Sequence, residues 1–176
     1  MKRKALDKAY EPGNIEQKWY NFWLQNGYFT PKVDPARAPF VIIIPPPNAT
    51  GELQVGHALT MTVEDVLIRW HRMLGDPTLW VPGTDHSGIA VQVLVEKDLA
   101  KEGLTRQQVG REEFLHRAWE RAIRSRKTIE QQQHLIGASC DWTRDTFTLD
   151  AGPSKAVRTA FTRLYRKGLI YRGERM

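Results

Sequence analysis

A single cysteine, Cys140, stands among the 176 residues. It excludes an internal disulfide and any multi-cysteine metal site, and it fits a reducing cytoplasm. No run approaches the roughly eighteen apolar residues of a membrane-spanning helix, so no membrane partner is expected. The opening residues Met-Lys-Arg-Lys-Ala-Leu-Asp-Lys carry charge but lead into no apolar stretch, which is not the pattern of a secretory signal. Internal repeats and low-complexity segments are lacking too. Histidine is sparse: His71, His116 and His134 lie in helical context with no second histidine at i+4, which argues against a metal site. Acid is scarce at one end of the chain. From Lys155 onward, Lys155, Arg158, Arg163, Arg166, Lys167, Arg172 and Arg175 face one acid, Glu174, so this segment accounts for the whole formal net charge of +6. Such a block suits a polyanion. A solvated helix face, or a face that meets further protein, is the alternative.

What is present reads as an ordinary globular composition, 41% apolar and 26% charged, with room for one core. The chain is organised around Phe40 to Ala58. Its first part, Phe40, Val41, Ile42, Ile43 and Ile44, is short and β-branched, and is expected to be a strand buried on both faces of a parallel sheet. Pro45, Pro46 and Pro47 lack backbone donors and end the ladder. Gly51 and Gly56 bracket a turn. From His57 the apolar spacing becomes helical, at Leu59, Val63, Val66, Leu67 and Trp70. A strand, a tight turn and a helix start in succession favour bound phosphate, because helix-start amides and the positive end of the dipole point at it.

Upstream, Asn14 reads as an N-cap with Gln17 completing a capping box, and Ile15, Trp19, Phe22 and Trp23 share a helical face. Gly27 stops this helix. Downstream, Gly75-Asp76-Pro77 forces a turn before a second short strand, Thr78 to Val81, cut off at Pro82-Gly83. Thr84, Asp85, His86, Ser87 and Gly88 follow, then a helix from Ile89. Two strands whose carboxyl ends open into polar loops define a ligand crevice in a doubly wound sheet. After Gly103 and Thr105, the spacing of Phe114, Leu115, Ala118, Ile123 and Ile129 predicts one or two amphipathic helices, ended by Gly137. Asp150 or Ser154 then caps a helix with Ala156, Val157, Ala160, Phe161, Leu164 and Tyr165 on one side. Leu169-Ile170-Tyr171 is expected to begin a third strand. The order of elements indicates an α/β fold.

The wording at the two strand ends is more specific than the pattern. Pro-Pro-Pro-Asn-Ala-Thr-Gly-Glu-Leu-Gln-Val-Gly-His-Ala-Leu resembles the first signature of class I aminoacyl-tRNA synthetases, the His-Ile-Gly-His element, in the form carried by valyl members. One position departs: Gln54 stands where the signature has its first histidine. Pro-Gly-Thr-Asp-His-Ser-Gly-Ile-Ala-Val-Gln resembles the valyl form again, and Asp141-Trp142-Thr143-Arg144-Asp145 resembles a further family element. The resemblance implies the first half of a Rossmann-type parallel sheet preceded by an N-terminal helix. Residues 1–38 would form a helical brace and linker. Residues 39–176 would form the first part of the catalytic domain, truncated before the editing insertion. The second signature, Lys-Met-Ser-Lys-Ser, and anticodon-binding helices are absent.

Adenylate formation needs an amino-acid carboxylate aligned with the α-phosphate of ATP and stabilisation of charge at phosphorus. Positioning and preorganised donors therefore account for most of the catalysis. By resemblance, Gly56 lets adenine lie on the backbone, His57 donates to ribose or phosphate oxygens, Gln54 occupies a catalytic position and Thr50 helps cradle the phosphates. A structural bond at the helix start is the rival role for His57. Asp85 is assigned to the amino-acid ammonium, since such a cation in an apolar cleft needs a fixed carboxylate; capping of the following helix is its rival. Pro45, Pro46 and Asn48 resemble the wall around valine. A pocket of that kind rejects threonine by only about a hundredfold, an established illustration for the valyl enzymes, so editing must be done elsewhere. The implied ligands are ATP with Mg²⁺, valine and tRNA(Val), with no tightly bound cofactor, and the implied complete enzyme is a cytoplasmic monomer. Three other readings remain at this point: an isoleucyl member, against which Asn48, Thr50 and Gly83-Thr84-Asp85-His86 argue; a non-catalytic nucleotide- or RNA-binding module derived from a synthetase; and a packing fragment with no activity of its own.

Overall fold

A computed structural model describes residues 9–174, with Asn14 described by its backbone alone. Its elements are α1 (Pro12–Gln25), β1 (Phe40–Ile43), α2 (Val55–Met73), β2 (Thr78–Val81), β3 (Gly83–Thr84), α3 (Gly88–Lys101), α4 (Arg106–Leu135), β4 (Thr146–Phe147) and α5 (Ala151–Arg166). They group into two compact units. The first gathers the chain up to Ile43 with Leu53–Val81 and Glu130–Thr143; the second gathers Ile44–Glu52, Pro82–Ile129 and the chain from Arg144.

In the first unit β1 and β2 pair in parallel, Phe40 opposite Thr78 through Ile43 opposite Val81. Helix α2 connects them and packs on both, with Ile68, Met61 and Trp80 buried. Each such side chain withdrawn from water stabilises the unit by about 1.5–3 kcal/mol. The Trp80 indole N–H donates to Glu64 Oε2 at 3.1 Å, and burial pushes the Glu64 carboxyl above its ordinary range. Gly75 ends the turn after α2 with φ +81°, and a Cβ there would lie 2.7 Å from the Arg37 guanidinium, which donates to the carbonyls of Gly75 and Leu74. The positive φ is what favours glycine here, since the guanidinium is the far end of a flexible side chain that can shift.

The segment after α4 is tied to α2 by polar bonds. Arg72 donates to Ser139 Oγ and to the Ser139 carbonyl. Ser139 Oγ bonds Asp65, and Arg69 bonds both Asp65 and the Gly137 carbonyl. Burial pulls the Arg72 guanidinium below its ordinary range. The Asp141 N–H donates to the Trp80 carbonyl at 2.9 Å, prolonging hydrogen bonding at the end of β2.

In the second unit α3 and α4 bury Val91, Val95, Leu99 and Phe114 against Leu104, Val109 and Ala118. Arg117 bridges Glu102 and Glu113, and Arg121 bonds Asp98. The span α4 is two helices that meet at a kink, Gly110, whose backbone is not helical (φ +76°, ψ 173°). Strands β3 and β4 pair in parallel, and Asn48 bridges Asp85 on the other side, giving a narrow three-track strip.

Several expectations are corrected. Helix α1 begins at Pro12 behind Glu11, so Asn14 is inside it; the capping bond expected of the Asn14 side chain lies outside the described residues. Its buried residue is Tyr20, whereas Trp19 and Phe22 are exposed. Tyr20 is held because its hydroxyl donates to the Ala138 carbonyl at 2.8 Å and accepts from the Trp142 indole at 2.9 Å. Strand β1 is not buried on both faces: Val41 is 49% and Ile43 70% exposed, because α2 covers one face and no described residue covers the other. The same holds for α2, which starts at Val55 and buries Met61 and Ile68, while Leu59, Val63, Val66, Leu67 and Trp70 are exposed. Leu169–Tyr171 is not a strand, since no described strand pairs with it. Asp150, rather than Ser154, takes the N-cap position of α5. That helix has no buried residue, and its apolar side at Val157, Phe161, Leu164 and Tyr165 is exposed.

Candidate active site

The sequence-predicted residues fall on two stretches, one in each unit. At the helix start, Gln54 is the N-cap of α2 with extended backbone, φ −99° and ψ 162°. The Gln54 N–H donates to His57 Nδ1 at 3.0 Å, and the His57 N–H donates to the Gln54 carbonyl at 2.9 Å. This reciprocal pair has a chemical consequence. With Nδ1 accepting, the neutral imidazole carries its proton on Nε2, which remains a donor. The structural bond is thus present, and it leaves Nε2 as the donor end of the ring. The preceding Leu53 N–H donates to Gln132 Oε1 at 2.7 Å, which pins the entry to the helix. A Cβ on Gly56 would meet nothing within 4 Å. The protein's own packing therefore does not require glycine there, and the backbone is bare on its outer side.

The second stretch is the strip in the other unit. The Asp85 N–H donates to the Pro47 carbonyl at 2.9 Å, and the Ala49 N–H donates to the Asp85 carbonyl at 2.8 Å. On the opposite edge the Thr148 N–H donates to the Thr84 carbonyl at 3.2 Å. The middle track is thus held from both sides. Gly83 has to be small: a Cβ would lie 2.9 Å from the Thr146 carbonyl oxygen. Beneath the strip Ala49, Ala122 and Phe147 form a buried cluster. The Arg126 guanidinium lies 4.5 Å from the Phe147 ring centroid and bonds Thr84 Oγ1 and Asp145.

Asp85 does not cap α3, whose N-cap position is taken by Ser87 at φ 41°. Its Oδ1 accepts the Thr148 hydroxyl at 3.0 Å and lies 3.3 Å from His86 Nδ1. Thr148 Oγ1 also accepts the His86 backbone N–H at 2.9 Å and lies 2.7 Å from His86 Nδ1. Pro45, Pro46 and Asn48 are exposed, Pro47 is buried, and the Thr50 hydroxyl turns back to the Asn48 carbonyl at 3.5 Å. Pro45, Pro46, Asn48, Thr50 and Asp85 are thus gathered in one unit, and Gln54, Gly56 and His57 in the other. Sequence reasoning missed Thr148. The available signal was the polar Thr-Leu-Asp that follows Phe147, a third strand end of the same kind as Thr84-Asp85.

Short parallel strands, each running into a helix or a polar loop at its carboxyl end, define the first half of a Rossmann-type α/β fold. Residues 18–176 match the family described as tRNA synthetases class I (I, L, M and V), and the chain belongs to that family. Among curated relatives, it is 62% identical to a valine–tRNA ligase of Dehalococcoides mccartyi over 97% of the chain and 19% of that protein. It is 54% identical to a valine–tRNA ligase of Pseudothermotoga lettingae over 97% of the chain and 20% of that protein. With one of Geobacter sulfurreducens the identity is 51% over the whole chain and 20% of that protein. The chain thus spans about a fifth of the length of the curated relatives it matches. Among solved structures, a LeuRS–tRNA–LeuAMS ternary complex from Agrobacterium radiobacter K84 matches with a TM-score of 0.75 and 21% identity, over 94% of this chain and 20% of that one. That likeness bears on the fold.

Proposed function

We propose that the complete protein is a valine–tRNA ligase, which activates valine with ATP–Mg²⁺ as valyl-adenylate and transfers it to tRNA(Val). In this reading Asp85 binds the valine ammonium. The observation that carries it is the Asp85 carboxylate itself: its backbone is bonded on both sides, to Pro47 and Ala49 and through Thr84 to Thr148. One oxygen is held by Thr148, and Oδ2 has no protein partner among the described residues. A carboxylate fixed at one oxygen and open at the other suits an ammonium, which needs a short charge-assisted bond in a fixed place. Pro45, Pro46 and Asn48, on the track that pairs with Asp85, form the apolar wall, and Thr50 assists at the phosphates.

His57 donates from Nε2 to the triphosphate or ribose, the bare backbone at Gly56 receives the adenine, and the α2 dipole favours the anion. Gln54 supplies an uncharged amide where the family signature has histidine. Residues 1–38 brace the catalytic segment 39–176, and threonine is removed in a part of the protein beyond this segment. The complete enzyme works in the cytoplasm as a monomer. The relatives named valine–tRNA ligase support this reading against an isoleucyl one.

The test is valine-dependent pyrophosphate exchange by the complete enzyme. Asp85→Ala should raise the valine KM and lower kcat/KM by about 10²-fold, the loss of one charge-assisted bond of roughly 2–3 kcal/mol. Unchanged valine kinetics would remove Asp85 from the site.

A further inference from the structure

We infer that Thr148 is a positioning residue for the amino-acid subsite, setting the orientation of the Asp85 carboxylate and the tautomer of His86 through one hydroxyl group. The inference rests on the reading of Asp85 as the ammonium-binding carboxylate.

A threonine hydroxyl has one proton to donate and two lone pairs. Three polar groups meet it: Asp85 Oδ1 at 3.0 Å, the His86 backbone N–H at 2.9 Å and His86 Nδ1 at 2.7 Å. One assignment satisfies all three. The His86 backbone N–H can only donate, so it takes one lone pair of Thr148 Oγ1. The Asp85 carboxylate can only accept, so it takes the hydroxyl proton. His86 Nδ1 must then donate into the remaining lone pair, which puts the imidazole proton on Nδ1 and within 3.3 Å of Asp85 Oδ1. The hydroxyl is saturated, and both neighbours are oriented by it. Asp85 χ angles are thereby fixed with Oδ1 on the hydroxyl, which leaves Oδ2 for a ligand.

Thr148 itself is well anchored. Its N–H donates to the Thr84 carbonyl, it follows Phe147 in the buried cluster, and the next turn is closed by the Phe147 N–H to the Asp150 carboxylate at 2.8 Å. The hydroxyl's position therefore comes from the strip, whereas the carboxylate's orientation comes from the hydroxyl. A side-chain carboxylate rotates freely at an exposed strand end unless something holds it. Restricting that rotation before the ligand arrives strengthens binding without a further contact to the ligand.

The test compares Thr148→Val, which keeps the shape and removes the hydroxyl, with Thr148→Ser, which keeps the hydroxyl, in the complete enzyme by pyrophosphate exchange. Thr148→Val should raise the valine KM by about ten- to thirtyfold, with the ATP KM within about twofold of the parent; Thr148→Ser should stay within about threefold for both. A general loss of folding would move both substrates together. In an Asp85→Asn background, Thr148→Val should add less than about twofold, because the group it orients has lost its charge. Asp85→Asn impaired for valine but Thr148→Val unimpaired overturns the positioning role alone. Thr148→Val additive with Asp85→Asn also overturns it, since the two would then act independently. Asp85→Asn with unchanged valine KM overturns the reading of Asp85 and this inference with it.

Discussion

The two stretches that carry the candidate residues, one in each unit, are held in opposite ways. At the start of α2, His57 is oriented by a residue three positions away, through its reciprocal bonds with Gln54, and Gln132 only pins the Leu53 N–H just before them. At the end of β3, Asp85 is oriented by Pro47 and Ala49 on one side and Thr148 on the other, about forty and sixty residues distant in the chain. The first device forms whenever the helix forms, because a helix start is a local event. The second exists only once three separate stretches have been brought into register. One stretch should therefore survive perturbations that destroy the other.

The largest effect is expected from expressing residues 1–176 alone. The uncovered faces of β1, α2 and α5 then meet water, and a large exposed apolar surface invites association. Charging of tRNA should be undetectable, while weak ATP binding, measured by calorimetry, persists at the locally organised helix start. Charging at a rate near that of the complete enzyme would break the comparison, because it would mean that the segment suffices by itself. A narrower probe is Gly83→Ala in the complete enzyme. The new methyl meets the Thr146 carbonyl oxygen at 2.9 Å and pushes β4, with Thr148, away from β3. A cost of about 1–3 kcal/mol is expected from such overpacking, felt as a raised valine KM with the ATP KM little changed. Equal damage to both substrates would show that the two stretches do not respond separately.

The smallest effect should come from Gln54→His. The reciprocal bonds use the N–H and carbonyl of Gln54, which any residue other than proline supplies. The substitution should thus preserve the cap and add a ring that can carry charge near the phosphates. An increase in kcat for adenylate formation of up to about tenfold is expected, with a smaller change in ATP KM. A fall in kcat would mean that the site is adapted to glutamine.

The same contrast governs what could be read in advance. The β-branched run at Phe40, the stop at three prolines, the second strand at Thr78–Val81, the helix around Gly56 and the end of α4 just before Gly137 were legible because each depends on neighbours in sequence. Burial was read less well. On α2 the spacing of Leu59, Val63, Val66, Leu67 and Trp70 marked a helix, yet Met61 and Ile68 are its buried residues. An apolar pattern marks a surface that avoids water, not the element that covers it. Tyr20 was missed for a related reason: its burial depends on hydrogen bonds to Ala138 and Trp142, more than a hundred residues away.

By itself the sequence determined the α/β class, the helix start around Gln54 to His57, and the family wording around Gln54 and Asp85. These follow from backbone propensity, proline and glycine chemistry and short-range spacing, all of which act within a few residues. Only the tertiary structure decided that Asp85 occupies the middle of a three-track strip, that Ser87 rather than Asp85 stands at the start of α3, and that Thr148 holds the carboxylate. Those outcomes depend on parallel pairing between distant stretches. The hydrogen-bonding groups involved are present on nearly every residue, and only the folded register selects which of them meet.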